Sequence, residues 1–205
     1  MKVIVFGATG GVGQAFVRQA LEDGHEVTAF VRNSAKLQLK HDKLRVVQGD
    51  ALNQEEVTAA IAGHDAVVSG LGSSQGLKKS TELQRMAQSV VQGMQANQVK
   101  RILYTASAGI DRELPGLSGK MVMALLKNVL ADHRVAVEQI KSHDLDYTIA
   151  RPMGLKNLPL TGKYREAATG VPAKAGSIAR EDVAHFLLKA MKDPSYIRTS
   201  IGLGT

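Results

Sequence analysis

Three glycines near the start of the chain have the spacing of a loop that binds a phosphate group. Gly7, Gly10 and Gly13 follow the pattern G-x-x-G-x-x-G, between the apolar segment 2–6 and a segment with helical periodicity. The first glycine permits a tight turn, the second lets the backbone approach a pyrophosphate, and the third lets the helix pack closely on the strand. The helix then offers unpaired N–H groups and its positive dipole end to the anion. The pattern predicts a dinucleotide site.

The residues after the second apolar segment indicate which dinucleotide is bound. An Asp or Glu at this place would bond the ribose of NAD, but the sequence reads Phe30-Val31-Arg32-Asn33-Ser34. Arg32 is instead placed to bind a ribose 2′-phosphate, with Ser34 or Lys36 in support. The alternative is an ordinary surface arginine. The absence of an Asp or Glu and the presence of Arg32 both favour NADP(H).

Two more loops follow apolar segments of the same kind. Asp50, in Gly49-Asp50, either contacts the adenine amino group or caps the helix that follows Leu52, and the sequence leaves both open. Leu71 and Gly72 come after the next segment, at the carboxyl end of a predicted strand, where ligands of such folds bind.

Short apolar segments alternate with amphipathic helical segments along the chain. Strands are predicted over 2–6, 26–31, 44–47, 65–69, 101–105 and 146–150, and helices over 14–22, 54–62, 81–96, 121–141 and 180–192, the last capped by Ser177 or a nearby polar residue. Residues 159–176 are predicted to be loop or short strands. The alternation predicts an α/β fold, a Rossmann-type doubly wound parallel sheet with helices on both faces, in one domain spanning 1–205.

Composition excludes several classes of protein. The chain has 205 residues, 44% hydrophobic and 22% charged, with no Cys, so neither a disulfide framework nor a thiolate metal site is expected. No apolar run is long enough to span a membrane, and the apolar N-terminal stretch is too short for a signal peptide, so a cytoplasmic location is expected. The net charge is +7, but basic residues occur only in pairs and aromatics are scattered. This favours a phosphate-bearing ligand over nucleic acid.

The sequence lacks the Tyr-x-x-x-Lys pair with which many dehydrogenases exchange a proton with an alcohol. Four residues after the tyrosines at 104, 147, 164 and 196 stand Ala, Arg, Ala and Ser. Leu130 and Arg134 occupy the positions of the pair on the helix that normally carries it. Alcohol–ketone chemistry is therefore poorly supported, whereas a flavin or quinone accepts hydride without an enzyme acid.

Two polar residues are candidates for contact with the reacting groups. Ser107 ends the fifth predicted strand, where its hydroxyl is placed to bond the nicotinamide amide or a substrate carbonyl, or only to cap the next turn. His133 is placed to donate to a substrate or phosphate, or is a half-exposed surface residue. The sequence leaves both pairs of alternatives open.

A second motif suggests a different chemistry. Residues 72–76 match G-x-S-x-G, the nucleophile elbow of α/β-hydrolases, with Ser74 as the nucleophile. An elbow needs a helix directly after its serine, but 77–80 has loop composition. A serine hydrolase is therefore disfavoured.

Taken together, the motifs resemble those of the NmrA-like, atypical short-chain dehydrogenase/reductases over essentially the whole chain. The resemblance rests on the loop 7–13, on Val31-Arg32, Gly49-Asp50 and Leu71-Gly72, and on the segments 105–108 and 145–152. Within this family, the segments 159–164 and 182–186 are similar to those of the NADPH-dependent flavin reductases of the biliverdin reductase B type.

The resemblance implies a role for each matching position. The phosphates would be lined by Gly7, Thr9, Gly10, Gly11 and Val12, and the 2′-phosphate would be bound by Arg32. The adenine would be flanked by Asp50 and Ala51, and the adenosine side would be covered by Leu71 and Gly72. Ser107 and His133 would lie near the nicotinamide and the substrate, and the nicotinamide pocket would be lined by Pro152, Met153 and Gly154. Met153 stands where the flavin reductases have a His, which disfavours tetrapyrrole reduction more than flavin reduction.

The expected function is therefore NADPH-dependent reduction of a small electron acceptor, a flavin or quinone, by a monomer or small homo-oligomer. The alternative is a non-catalytic NADP(H) sensor, which the NmrA-like resemblance also implies.

Overall fold

The computed structural model describes residues 1–205 and is built around a sheet of eight strands. The chain has ten strands in all, eight in this sheet and two in a separate pair: β1 (Lys2–Phe6), β2 (Glu26–Val31), β3 (Leu44–Gln48), β4 (Ala66–Ser69), β5 (Arg101–Thr105), β6 (Asp146–Pro152), β7 (Leu155–Lys156), β8 (Arg165–Ala167), β9 (Ile178–Ala179) and β10 (Thr199–Gly204). The helices are α1 (Gly11–Glu22), α2 (Gln54–Ile61), α3 (Glu82–Ala96), α4 (Gly116–Leu125), α5 (Lys127–Ser142) and α6 (Arg180–Lys192).

The order of the strands confirms the predicted doubly wound sheet. It runs β3-β2-β1-β4-β5-β6-β10-β8, and all neighbours are parallel except β8, which pairs antiparallel with β10 at the edge. Strands β7 and β9 form a separate parallel pair. The chain changes direction across the sheet between β1 and β4, and ligands of open α/β sheets bind at such a switch point.

The register of the strands brings the predicted loops to one edge of the sheet. Phe6, the last residue of β1, pairs with Phe30 of β2 on one side and with Ser69 of β4 on the other. The segments that begin at Gly7, Arg32 and Gly70 therefore leave the sheet side by side at its carboxyl edge.

Alternate residues of β1 point into two separate hydrophobic layers, as the period of a strand requires. Val3 and Val5 pack with residues of α1 and α6 on one face, and Ile4 and Phe6 pack with residues of α2, α3 and α5 on the other. All four side chains are fully buried. Helices thus cover both faces, as predicted.

The helix predicted over 121–141 is instead two helices. The backbone leaves the helical conformation at Leu126, and α4 begins upstream at Gly116. Helix α5 is held against the sheet by buried side chains such as Val137, whereas α4 leaves Leu117 and Met121 exposed. Since the two segments pack in different environments, one continuous helix cannot satisfy both.

Several other boundaries differ from the prediction. Ser177 does not cap α6: the N-cap is Ala179, which makes no side-chain capping bond. Strand β6 continues through Pro152, and α1 begins at Gly11, so the glycine loop is shorter than predicted. The strand β10 was not predicted at all.

None of the six helices combines the length and the apolar character needed to cross a membrane.

Candidate functional site

The glycine loop after β1 has the close backbone contacts that the sequence predicts. Gly7 has a φ of +76°, and a Cβ there would lie 2.6 Å from the carbonyl of Gly70. A Cβ on Gly13 would lie 2.2 Å from the carbonyl oxygen of Gly7, so only glycine allows α1 to start this close to β1. The N–H of Gly10 donates to the Gly7 carbonyl at 2.9 Å and closes the turn.

The start of α1 is open to an anion. Its N-cap is Gly10, no side chain caps it, and no acidic residue lies in its first turn. The first N–H groups of this helix therefore have no side-chain partner, and the positive end of the dipole is uncompensated. The Val12 side chain is buried in the core, so Val12 offers a phosphate only its backbone N–H.

A groove of about 320 Å³ runs along the carboxyl edge of the sheet beside this loop. It brings together eight of the residues predicted to bind the cofactor, namely Gly7, Thr9, Gly10, Arg32, Lys36, Ala51, Leu71 and Gly72. Glycine backbone, two cations and small apolar side chains suit an adenosine with phosphates at both ends. The groove therefore suits the adenosine and phosphate part of NAD(P)H.

Glu82, which the sequence analysis missed, also lines this groove. Its carboxylate accepts hydrogen bonds from the Ser73 hydroxyl at 2.9 Å and from the Ser74 N–H at 2.7 Å. Burial raises the pKa of Glu82, but these hydrogen bonds and the nearby charge of Arg32 outweigh it, so the pKa lies below its usual value. Glu82 thus anchors the loop between β4 and α3 as an anion. Its sequence position, in the first turn of a helix, is common and gave no indication of this contact.

The same contacts exclude the nucleophile elbow. The Ser74 hydroxyl bonds the Glu82 carboxylate at 3.0 Å, and no helix begins until Glu82 itself. Ser74 therefore lacks both the histidine partner and the strand–turn–helix geometry of a hydrolase.

Asp50 does not cap the next helix. Its carboxylate accepts from the N–H of Leu52 at 3.0 Å, while the side chain of Asn53 caps α2. Asp50 does not line the groove, whereas the neighbouring Ala51 does. The adenine contact of Asp50 stays a prediction.

Pro152, Met153 and Gly154 follow the end of β6, and their backbone is held by neighbouring strands. The carbonyl of Pro152 accepts from Ala108, and the N–H of Met153 donates to Leu203, both at 2.9 Å. Met153 lines a cavity of about 240 Å³ whose other walls come from 114–122 and 171–175. This cavity is mainly apolar, with Lys174 as its one charged residue.

Ser107 is half-buried at the end of β5, and its hydroxyl donates to the carbonyl of Ala108 at 3.1 Å. It lines neither the groove nor the apolar cavity. The local turn contact is therefore present, and the contact with nicotinamide or substrate stays a prediction.

His133 is buried, so the half-exposed surface alternative is wrong. Its side chain is 7% exposed, and its Nδ1 lies 3.1 Å from the Tyr104 hydroxyl. Burial lowers the pKa of His133 to about 4, against a smaller opposing effect of Asp132. The imidazole is therefore neutral near pH 7, and it lines neither the groove nor the apolar cavity.

The two residues that the sequence analysis predicts at the positions of the Tyr–Lys pair both have structural contacts. Leu130 is 4% exposed and packs in the core, and the Arg134 Nε donates to the carbonyl of Ile110 at 2.6 Å. The hydroxyls of three tyrosines are bonded elsewhere, Tyr104 to His133, Tyr164 to His185 and Tyr196 to Glu166.

A family model described as NAD(P)H-binding matches residues 7–194. The chain belongs to this NAD(P)H-binding family. The match covers both the glycine loop and the apolar cavity, and with the fold it confirms the resemblance to the NmrA-like, atypical short-chain dehydrogenase/reductases. The groove at the switch point is the candidate cofactor site of this NAD(P)H-binding protein.

Relatives of this NAD(P)H-binding protein include oxidoreductases. It is 30% identical over 200 residues to the uncharacterized sugar epimerase YhfK of Bacillus subtilis (strain 168), covering 94% of this chain and 89% of the relative. It is 25% identical to the uncharacterized oxidoreductase SAUSA300_2422 of Staphylococcus aureus, covering 96% and 93%. The structure of ChuY, an anaerobilin reductase from Escherichia coli O157:H7, has the same fold, with a TM-score of 0.81 at 22% identity over 98% of this chain and 97% of that chain.

Proposed function

We propose that this protein is an NADPH-dependent reductase that transfers hydride to a planar electron acceptor, a flavin or a quinone, without a proton-donating side chain. The main support for the proposal comes from two residues of helix α5. Leu130 and Arg134 fill the positions of the Tyr and Lys that alcohol chemistry needs, and both are committed to structural contacts. No tyrosine lines the groove or the apolar cavity.

The preference for NADPH is supported by Arg32. It lines the groove after the end of β2, it is exposed, and no carboxylate lies within ion-pair distance of it, the nearby charge of Glu82 being held by Ser73 and Ser74. A guanidinium in this state binds a dianionic 2′-phosphate through charge-assisted hydrogen bonds. Lys36 lines the same groove and adds a second positive charge.

The cofactor, when bound, supplies a hydride from its dihydronicotinamide ring. The chain supplies binding and orientation. The glycine loop and the start of α1 hold the phosphates, the groove holds the adenosine, and Met153 lies where the nicotinamide pocket is expected. Since a reduced flavin takes its proton from solvent, no side chain of matched pKa is needed.

The acceptor class is supported by the apolar cavity at Met153. Leu114, Pro115 and Val122 offer flat apolar contact to a ring system, and Lys174 offers one positive charge to an acidic substituent. Met153 in place of the flavin reductases' His makes flavins and quinones better candidates than tetrapyrroles.

The test is a set of turnover assays. With NADPH, the protein should reduce FMN, riboflavin or a soluble quinone. With NADP⁺, it should not oxidise simple secondary alcohols, sugars included. Oxidation of an alcohol at a rate comparable to flavin reduction would contradict the proposal. Tight binding of NADPH with no turnover on any acceptor would favour the sensor alternative.

A further inference from the structure

The side chain of Arg180 lies across the start of the dinucleotide-binding helix. Arg180 is the first residue of α6, and a Cβ on Gly11 of α1 would lie 2.3 Å from its Cδ and 2.8 Å from its Nε. Any side chain at position 11 would therefore displace Arg180. The glycine at this position therefore leaves room for the arginine side chain.

The charge of Arg180 is not neutralised within the chain. Its guanidinium donates to the neutral amide oxygen of Asn157 at 2.7 Å and makes no ion pair. The adjacent Glu181 is bonded instead to Arg18 and to Gln19. Glu181 is thus committed to its neighbours on α1, and a free cation remains beside the uncapped first turn of that helix.

Arg180 also faces a large cavity that adjoins the cofactor groove. This cavity has a volume of about 730 Å³ and is lined by Gly11, Lys36, Asn157 and Arg180, and also by the ion pair of Arg18 and Glu181. Lys36 lines the groove as well. An anion held at the start of α1 would therefore lie between the groove and this cavity, within the positive field of both cations.

We propose that Arg180 is a ligand of the cofactor pyrophosphate, so that the phosphates are held by a side chain from the last helix as well as by the glycine loop. The proposal rests on the cofactor binding of the family and not on the identity of the acceptor. A guanidinium beside unpaired helix N–H groups forms charge-assisted hydrogen bonds with phosphate oxygens.

Arg180 and Arg32 then recognise different parts of the cofactor. The pyrophosphate is common to NADH and NADPH, whereas the 2′-phosphate belongs to NADPH alone. Arg180→Gln should weaken the binding of both dinucleotides by the same factor, about tenfold. Arg32→Gln should weaken NADPH binding selectively.

The experiment measures dissociation constants by calorimetry for NADPH, NADH and adenosine 2′-monophosphate, which has no pyrophosphate. Arg180→Gln should leave the affinity for adenosine 2′-monophosphate unchanged, while Arg32→Gln should lower it. Arg165→Gln is the matched control, because Arg165 likewise bonds only a neutral acceptor, the Ala173 carbonyl at 2.7 Å, and lies away from the loop on β8. This control should bind all three ligands as the parent does.

Arg180→Met separates the contribution of the charge from that of packing. The unbranched apolar side chain of methionine can still lie across Gly11, but it carries no charge. If Arg180→Met, folded to the same melting temperature as the parent, binds both dinucleotides within twofold of the parent, the proposal is wrong. It is equally wrong if the losses for NADPH and NADH differ by more than about fivefold. Raising the salt concentration should reduce the difference in dinucleotide affinity between the parent and Arg180→Gln, because salt screens the charge of Arg180.

Discussion

The Tyr104 hydroxyl lies 3.1 Å from Nδ1 of His133, and this buried contact ties strand β5 to helix α5. The two rings meet edge to face, with centroids 5.9 Å apart. Because burial holds the pKa of His133 at about 4, the histidine is neutral in the folded protein over a pH range in which an exposed histidine becomes charged.

This burial makes stability depend on pH. Between pH 6.5 and 4 the unfolded chain binds a proton at His133 that the folded chain does not, so the free energy of unfolding falls as the pH falls. Between pH 7 and pH 5 the loss from this residue should be about 2 kcal/mol. Urea denaturation at the two pH values measures it. His133→Gln should lose this part of the pH dependence, whereas replacing the exposed His41 by Gln should keep it. The same pH dependence in parent and His133→Gln would show that His133 is not the group responsible.

Replacing Arg32 by Ala should erode the preference for NADPH. A charge-assisted hydrogen bond to a phosphate is worth about 1.5–3 kcal/mol, so the ratio of kcat/KM for NADPH to that for NADH should fall by about tenfold or more. The parent should prefer NADPH. Equal values for the two cofactors in the parent would contradict the assignment of Arg32 to the 2′-phosphate.

Gly13→Ala should destabilise the fold and weaken cofactor binding together. The new methyl group would lie 2.2 Å from the Gly7 carbonyl oxygen, which belongs to the backbone and cannot rotate away. Such overpacking costs about 1–3 kcal/mol, measurable as a lower urea midpoint. Gly72→Ala is the control for stability, since a Cβ there meets nothing within 4 Å. Equal urea midpoints for Gly13→Ala and Gly72→Ala would refute the close approach of helix and strand.

Ser107→Ala should slow hydride transfer by about tenfold and should not abolish it, as expected for the loss of one hydrogen bond that positions a ring. Single-turnover oxidation of NADPH by FMN gives the rate for parent and variant. A loss of several orders of magnitude would identify Ser107 as an essential acid. An unchanged rate would show that the Ser107 hydroxyl serves only the turn contact with Ala108.

The parts of the fold that follow from local patterns could be predicted from the sequence. The apolar run of β1, the glycine spacing after it and the bounds of α6 are properties of neighbouring residues. Strand β10 was missed because Gly202 and Gly204 lower its strand propensity. A Cβ on Gly202 would lie 2.4 Å from the Gly170 carbonyl oxygen, a contact that no local pattern reveals.

In the candidate site too, positions set by neighbouring residues could be predicted, and contacts between distant parts of the chain could not. The Arg32 position could be predicted because it depends on the end of one strand. Glu82 and Arg180 could not, because they reach the glycine loop and its groove from helices far along the chain. The burial of His133 could not be predicted for a similar reason, since the residue packs against Tyr104, 29 residues away.

Hydride transfer without a protein acid can be tested by the pH dependence of a single turnover. NADPH and FMN are mixed with the enzyme in a stopped-flow instrument without oxygen, between pH 6 and pH 9, and the oxidation of NADPH is followed. NADPH carrying deuterium at the transferred position identifies the hydride-transfer step by its slower rate. The rate constant should change by less than about threefold over this range, because no side chain has to donate a proton. A rate constant that falls about tenfold for each pH unit would show that a protonated group of the enzyme is required, and would contradict hydride transfer without a protein acid.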